Sequence, residues 1–358
     1  MKIALITDTH FGARSDSQTF IRAFDRFYSN IFFPTLKERD IDTIFHLGDI
    51  VDKRKHISYV TLKSFREQFV DVCVDQKINL HVIVGNHDIP YRNTNSVNAM
   101  TELFRGYGTD WLNFYADPTE VSFDGLDIAI SPWINSENYL DTLEFIAKTN
   151  AEVCFGHFDF NGFEMHRGMV QENGMDTTAF QKFDIVYSGH FHHKSQKGNI
   201  TYLGNPYELT WSDYGDSRGF HIFDTNTREL EFIENPYRMF YKVVYNDLDA
   251  EYNDVVNRNF AGFKDTYVKV IVQEKTNPYW FDLMLDNLYA ANPSNVTIVD
   301  DNRNMDKLSE TEIIDEAEDT LTIMNKYVDT TVNNVDVTKL KKLLHTLYID
   351  AQSVEIVE

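Results

Sequence analysis

Five short stretches of this 358-residue chain carry side chains able to bind metal ions: Asp8-Thr9-His10, Gly48-Asp49-Ile50-Val51-Asp52, Gly85-Asn86-His87-Asp88, Gly156-His157 and Gly189-His190-Phe191-His192. They offer carboxylates, imidazoles and one amide, and no thiolate. A mixed oxygen and nitrogen donor set suits Mn²⁺, Fe²⁺ or Zn²⁺ better than Mg²⁺ or Ca²⁺, which favour oxygen alone. So many donors call for two ions. Alternation along an extended segment would turn Asp8 and His10 the same way, and likewise His190 and His192, so that each pair holds one ion. Any one of these motifs is common and by itself marks only a turn or a satisfied polar residue; five together are a different matter.

Each stretch follows an apolar run that reads as a strand: Lys2 to Thr7, Thr43 to Leu47, Leu80 to Val84, Val153 to Phe155 and Ile185 to Tyr187, with a further run at Asp127 to Pro132. Helical patterns lie between them. One is Ile57, Val60, Phe65, Phe69 and Val72, whose apolar stripe would face a sheet. The alternation predicts an α/β fold, a layered sandwich of sheets flanked by helices, and ligands of such folds bind at the C-terminal strand ends, where all five motifs stand. Strands continue from Ile200 to Ile233 around a turn at Asp224 to Arg228. A first domain is expected over 1–236.

From 239 to 301 the pattern changes to strands at Tyr241 to Tyr245, Tyr267 to Val272 and Val296 to Val299, with a helix at Pro278 to Ala290, a small α+β domain. Residues 302–358 read as an acidic linker and two helices. The first opens on Ser309 with Glu312 three residues on, a capping box, and carries a stripe of Ile313, Ala317, Leu321, Met324 and Val328. Leu340, Leu343, Leu344, Leu347 and Ala351 line one face of the second. Short amphipathic helices after a linker cannot bury such stripes alone, which implies a partner helix, or packing back on the small domain.

Composition bounds the function. With 42% hydrophobic residues and 8 prolines the chain reads as globular, without a membrane span or a leader ahead of its first strand. Two cysteines, Cys73 and Cys154, exclude a disulfide framework and fit a reducing cytoplasm. The net charge of -23 argues against tight autonomous binding to nucleic acid, although bound cations or a basic partner would supply positive charge locally. There is no Gly-x-x-x-x-Gly-Lys-Ser/Thr sequence, so any ATP dependence would come from a partner.

In order and spacing, the five motifs resemble the calcineurin-like metallophosphoesterase family. The resemblance implies that Asp8, His10, Asp49 and His192 hold one metal and Asp49, Asn86, His157 and His190 the other, with Asp49 bridging. His87, positioned by Asp52, would stabilise or protonate the leaving oxygen. Two ions there, Mn²⁺ foremost with Mg²⁺, Fe²⁺ or Zn²⁺ as alternatives, would activate a water for in-line attack and neutralise phosphoryl charge. Asp8-Thr9-His10-Phe11-Gly12, Pro132-Trp133 and Arg218-Gly219-Phe220 narrow the likeness to the SbcD branch, the Mre/Rad-type nuclease subunits. Thr101-Glu102-Leu103 and Asn161-Gly162-Phe163 extend it to the recombination nuclease subunits of T4-type bacteriophages, over essentially the whole length.

That branch implies a double-strand exonuclease and single-strand endonuclease in DNA recombination and repair. It further implies a capping domain for DNA, C-terminal helices docking on the coiled coil of an SbcC/Rad-type ATPase, a homodimer within a heterotetramer, and residence in the cytoplasm, the host's in the case of a bacteriophage. Gly204-Asn205-Pro206 departs from the family's Gly-Ser/Thr-Pro and puts any hydroxyl contact to substrate there in question. Lys53, Arg54, Lys55, Tyr91 and Arg92 follow metal motifs directly and are candidates for phosphate or base contacts, though a basic run is more often a solvated face. His46 and His193 are candidate supports of the motifs, while His56, His81, His166, His221 and His345 read as surface or packing residues. The rivals are a phosphatase or small-nucleotide phosphodiesterase of the same superfamily, and a non-catalytic scaffold on that fold.

Overall fold

The computed structural model describes residues 1–105, 110–166, 169–172, 174–300, 320–331 and 336–352. Seventeen strands run through them in chain order: β1 (Lys2–Ile6), β2 (Thr43–His46), β3 (Asn79–Ile83), β4 (Leu112–Tyr115), β5 (Thr119–Phe123), β6 (Leu126–Ser131), β7 (Val153–His157), β8 (Glu164–His166), β9 (Met169–Val170), β10 (Ile185–Gly189), β11 (Ser195–Lys197), β12 (Ile200–Tyr202), β13 (Gly219–Asp224), β14 (Leu230–Glu234), β15 (Phe240–Asn246), β16 (Tyr267–Glu274) and β17 (Asn295–Asp300). They fall into two units. One comprises Met1–Tyr207 and Gly215–Tyr237, the other Glu208–Tyr214 and Arg238–Gln352.

The first unit holds two six-stranded sheets, ordered β14-β13-β1-β2-β3-β4 and β11-β12-β10-β7-β6-β5. Strands β1 to β4 are mutually parallel, as are β6, β7, β10 and β12, and antiparallel partners close three of the four edges, β4 being a parallel edge. Parallel strands covered on both faces are buried along their whole length, and β2 is buried at every position, its Thr43 and His46 included. Alternate residues share the work. Ile3, Leu5, Phe45 and Ile83 of one sheet meet Ile128, Ile130, Val153 and Phe155 of the other in a central core. Ala129, Cys154 and Val186 face a separate cluster with Ile146 and Phe180 from the outer helices.

The outer face of the first sheet is aromatic. Helix Gln18–Phe27 buries Phe20, Phe24 and Phe27, and Tyr28 follows in the π turn Tyr28–Phe32. Phe11 stacks on Tyr28 at 5.7 Å, which anchors the loop after β1. The stripe expected through Ile57, Val60, Phe65, Phe69 and Val72 is only partly realised: Phe65, Phe69, Val70 and Cys73 are buried while Val60 is exposed. A π turn at Arg66–Val70 inserts a residue and rotates the later positions off the 3.6 period.

In the second unit β15, β16 and β17 are parallel, and helix Pro278–Ala290 forms the crossover between the last two. Val243, Tyr245, Val268 and Val270 pack on Phe281, Met284 and Leu288. The buried Glu208 accepts from the Met239 and Phe240 N–H groups, which ties Glu208–Tyr214 to this unit. Helices Thr320–Thr331 and Val337–Gln352 follow. Ser309, Glu312, Ile313 and Ala317 lie outside the described residues, as do the side chains of Leu321 and Ala351. Among the described residues no helix is long and apolar enough to cross a membrane.

Candidate metal centre

All five motifs stand at the C-terminal ends of parallel strands along one edge: β1, β2 and β3 in one sheet, β7 and β10 in the other, Gly156-His157 being the last residues of β7. Three clusters of donor atoms form there, each with its atoms within 4.8 Å of one another: Asp8, His10 and His192; Asp49, His157 and His190; and His10, Asp49 and His87. Asn86 joins the second through Oδ1, which stands 3.0 Å from His157 Nε2 and 2.9 Å from His190 Nδ1. His192 thus goes with Asp8 and His10 rather than with His190, so the pairing of His190 with His192 on one ion does not hold in the structure.

Strand alternation is also not what turns these side chains inward. Asp8, His10, Asp49 and His190 have φ of 52°, 45°, 57° and 90°. Left-handed backbone at non-glycine residues is strained and persists only where its surroundings over-determine it. Here the surroundings are backbone bonds between the loops: Asp8 N to Gly48 O at 3.0 Å, His10 N to Asp49 O at 3.1 Å and Phe11 N to Ile50 O at 2.7 Å. The loops also approach too closely for side chains. A Cβ on Gly85 would stand 2.3 Å from Asp49 Oδ1 and 2.4 Å from Asp49 N.

The buried side chains leave positive charge wanting. Burial, with the Asp49 charge adding, pushes the Asp8 carboxyl up to about 7. Burial also lowers His190 to about 4 and, with His87 and His192 beside it, holds His10 well below the usual range. Burial opposes charge on His157 as well, but Asp49 outweighs it and raises that imidazole to about 9. Burial would raise Asp49, and His157 and His87 outweigh it to hold that carboxyl well below its ordinary value. His10 Nε2 and His192 Nε2 face each other at 3.0 Å, and His10 Nδ1 has no hydrogen-bond partner among the described residues. Divalent cations among these donors would supply the missing charge and give the facing nitrogens a shared acceptor, so the residues fit a pair of metals.

Neighbouring groups orient the donors. His157 Nδ1 donates to Leu47 O at 2.7 Å, leaving Nε2 for the cluster. His87 Nδ1 donates to the backbone carbonyl of Asp52 at 2.6 Å, while the Asp52 carboxylate stands 3.6 Å from His10 Nδ1. Asp52 therefore holds His87 through its main chain. His46, fully buried, bonds Thr9 Oγ1 at 2.9 Å and accepts from Gly48 N, joining the first two motifs. His193 Nδ1 bonds Asp216 at 2.8 Å.

Sequence reasoning assigned no role to Asp88. Its carboxylate, without solvent exposure, accepts from four backbone N–H groups: Gly85 and Asp49 at 2.9 Å, Ile50 at 3.0 Å and Val51 at 3.3 Å. It clamps the second motif to the third. The only hint in the chain was an acid at the end of an otherwise metal-binding tetrapeptide. Asn205 is likewise structural: buried, it accepts with Oδ1 from Arg218, which also donates to the His192 carbonyl and to Asp216. Of the basic candidates, Lys53 pairs with Asp16 at 3.8 Å and Arg92 is exposed at the rim of a cavity. His81 packs on Phe45 and bonds Tyr115, and His221 packs on Phe232, both away from the centre. His56 is exposed, His345 half-buried, and the His166 side chain lies outside the described residues.

Comparison with known proteins agrees with this edge. Exonuclease subunit 1 of Enterobacteria phage T4 is 39% identical over 235 residues, which cover 66% of this chain and 68% of that protein. The likeness to T4-type nuclease subunits is therefore borne out, over two-thirds of the chain rather than its whole length. Among solved structures, a novel archaeal phosphodiesterase covers 66% of this chain and 100% of its own at 15% identity with a TM-score of 0.35. A glutamine-dependent NAD+ synthetase from Acinetobacter baumannii covers 98% and 72% at 10% identity with a TM-score of 0.29. Neither likeness is close enough to bear on fold or function. The family model for calcineurin-like phosphoesterases matches residues 1–194, which hold every donor gathered at the common strand edge, and the chain belongs to that family.

Proposed function

We propose that the protein is a divalent-metal-dependent DNA nuclease, cutting double strands from an end and single strands internally, in recombination and double-strand-break repair. The observation that carries the reading is the adjacency of two donor clusters, Asp8, His10 and His192 beside Asp49, His157 and His190, with His10 Nε2 3.9 Å from Asp49 Oδ2, in a chain similar to a phage exonuclease subunit. Asp8, His10, Asp49 and His192 would hold one ion and Asp49, Asn86, His157 and His190 the other, with Mn²⁺ the favoured metal. Bound there, the pair would lower the pKa of a water and offset charge on the phosphoryl oxygens. The chain's own contribution is placement and proton transfer. Because a carbonyl can only accept, His87 Nδ1 must carry its hydrogen, which leaves Nε2 to face substrate and, as imidazolium, to protonate the leaving oxygen.

The small second unit would cap the DNA, with 1–236 as the nuclease domain and 239–301 as the cap. The C-terminal helices within 302–358 would dock on the coiled coil of an SbcC/Rad-type ATPase. Leu343 and Leu347, one turn apart, are 54% and 52% exposed, as an unfilled helix-packing face would be. A homodimer within a heterotetramer and residence in the host cytoplasm complete the reading. The net charge of -23 favours one rival, a diesterase acting on small substrates.

The test is Mn²⁺-dependent digestion of end-labelled double- and single-stranded DNA, with bis(p-nitrophenyl) phosphate alongside and Asp8→Ala as control. Loss of DNA in the wild type alone is expected. Brisk hydrolysis of the small diester with intact DNA, in the presence of the ATPase subunit as well as without it, would establish the rival.

A further inference from the structure

Beside the cluster of Asp49, His157 and His190 opens a cavity of about 460 Å³, within the range of roughly 300–1,000 Å³ typical of small-ligand sites. Its wall toward the metal centre is Trp133, whose ring centroid lies 5.0 Å from that of His190 and 5.9 Å from that of His157. Tyr139, 43% exposed at the start of helix Tyr139–Lys148, lines it as well. The titratable groups on the wall are Asp159, Asp176, the imidazole of His157 on the side of the metal centre and, at the rim, Arg92.

The loop carrying Trp133 is held in advance. Trp133 N donates to Val84 O at 2.8 Å, and Trp133 O accepts from Asn95 and Asn138 side chains at 2.9 and 3.0 Å. Asn135, buried, bridges to Asn95 at 2.9 Å. Three asparagines thus fix the backbone that presents the indole, so a ligand that meets it need not order the loop.

The chemistry of the wall selects its guest. Away from His157, which belongs with the metal donors, two carboxylates against one guanidinium disfavour a phosphate, which has its own place among those donors. Aromatic surface favours a flat unsaturated ring, and carboxylate oxygens favour one bearing N–H donors. We propose that this cavity is a nucleobase subsite, taking the unpaired base next to the scissile phosphate and preferring bases with an exocyclic amino group. The proposal rests on the nuclease reading above and gives it a substrate contact that needs no basic patch.

The test uses the full chain with Mn²⁺ and single-stranded DNA carrying one tetrahydrofuran abasic residue at a defined position. Cleavage at one of the two phosphates flanking that residue should fall roughly tenfold or more in kcat/KM relative to the intact strand, as loss of base–aromatic stacking commands. Tyr139→Ala should bring the intact-to-abasic ratio toward one. A second arm needs neither metal nor turnover. Titration with 2′-deoxyadenosine should quench tryptophan fluorescence in the wild type and not in Trp133→Phe, with thymidine the weaker quencher. Equal cleavage beside abasic and intact residues, in protein that hydrolyses DNA, would overturn the subsite and leave the nuclease reading standing. Should neither DNA nor bis(p-nitrophenyl) phosphate be hydrolysed, in the presence of the ATPase subunit as well as without it, the nuclease reading falls, and the fluorescence arm decides alone: quenching confined to Trp133 supports a base site, and its absence ends the proposal.

Discussion

Replacing Asp88 by Asn changes one atom of a side chain that no substrate or metal needs to touch, and it should nevertheless disable the centre. At pH 8 the carboxylate presents two acceptors: Oδ2 to Asp49 N and Gly85 N, both at 2.9 Å, and Oδ1 to Ile50 N and Val51 N at 3.0 and 3.3 Å. An amide keeps one oxygen and turns an NH₂ toward the other two donors. Two buried N–H groups then lose their partner, at about 1–3 kcal/mol each, so unfolding should become easier by about 2–6 kcal/mol. At roughly 2–4 °C per kcal/mol for a unit of this size, the melting midpoint should drop on the order of 10 °C. The same bonds hold Asp49 and the Asn86-His87 turn, so Mn²⁺ affinity by calorimetry should weaken about ten- to a hundredfold, the usual effect of removing a group that orients metal ligands. A melting midpoint within about 2 °C of wild type, together with unchanged Mn²⁺ affinity, would refute the clamp.

His87→Gln should cut kcat by roughly a hundredfold or more while Mn²⁺ affinity stays at the wild-type value; a matching loss of affinity would make His87 a ligand, as its nearness to His10 and Asp49 permits. Burial lowers His81 to about 4 and His221 to about 3, so both are neutral in the fold and protonate more readily once unfolded. The stability they secure is therefore complete above pH 6.5 and is lost as pH falls toward 4, by about 2 kcal/mol per histidine at pH 5. Urea midpoints measured from pH 7.5 to 5 should show that slope, and His81→Phe should flatten it; an equal slope in the variant would remove His81 from the account. Asn205→Ala takes one acceptor from the buried Arg218 guanidinium and should cost about 1.5–3 kcal/mol in urea unfolding, whereas an unchanged midpoint would show the bond contributes nothing.

The donors themselves were legible because each stands at the end of an apolar run, and a run such as Ile3 to Ile6 admits hardly any other conformation once both its faces are covered. Partition of the donors was not legible from strand period. Asp8, His10 and His190 leave their strands in left-handed backbone, and no periodicity describes a residue whose φ is set by a bond from another loop. The stripe from Ile57 to Val72 slipped for a related reason, since an inserted π turn has no signature in side-chain spacing. Asp88 and Asn205 act through contacts with residues 37–39 and 13 positions away, which only the folded chain brings together. Glu208–Tyr214 reads as part of the preceding strand-rich stretch, and only the bonds from Met239 and Phe240 reveal its attachment to the second unit.

The left-handed conformations of Asp8, His10, Asp49 and His190 set the fold and its chemistry at odds. Each costs on the order of 1–2 kcal/mol that a glycine would not incur, so in backbone conformation alone the favoured residue at four places is one with no donor atom, a preference opposed at Asp8 and Asp49 by the bonds their carboxylates accept from His190 N and His87 N. A population of variants screened for thermal resistance alone would be free to drift toward glycine at His10 and His190, whose side chains hold no backbone group, and arrive at an inert protein. Selection for turnover has to act continually against that drift, and thermostabilisation of this scaffold should leave those four positions fixed and look to the exposed surfaces instead.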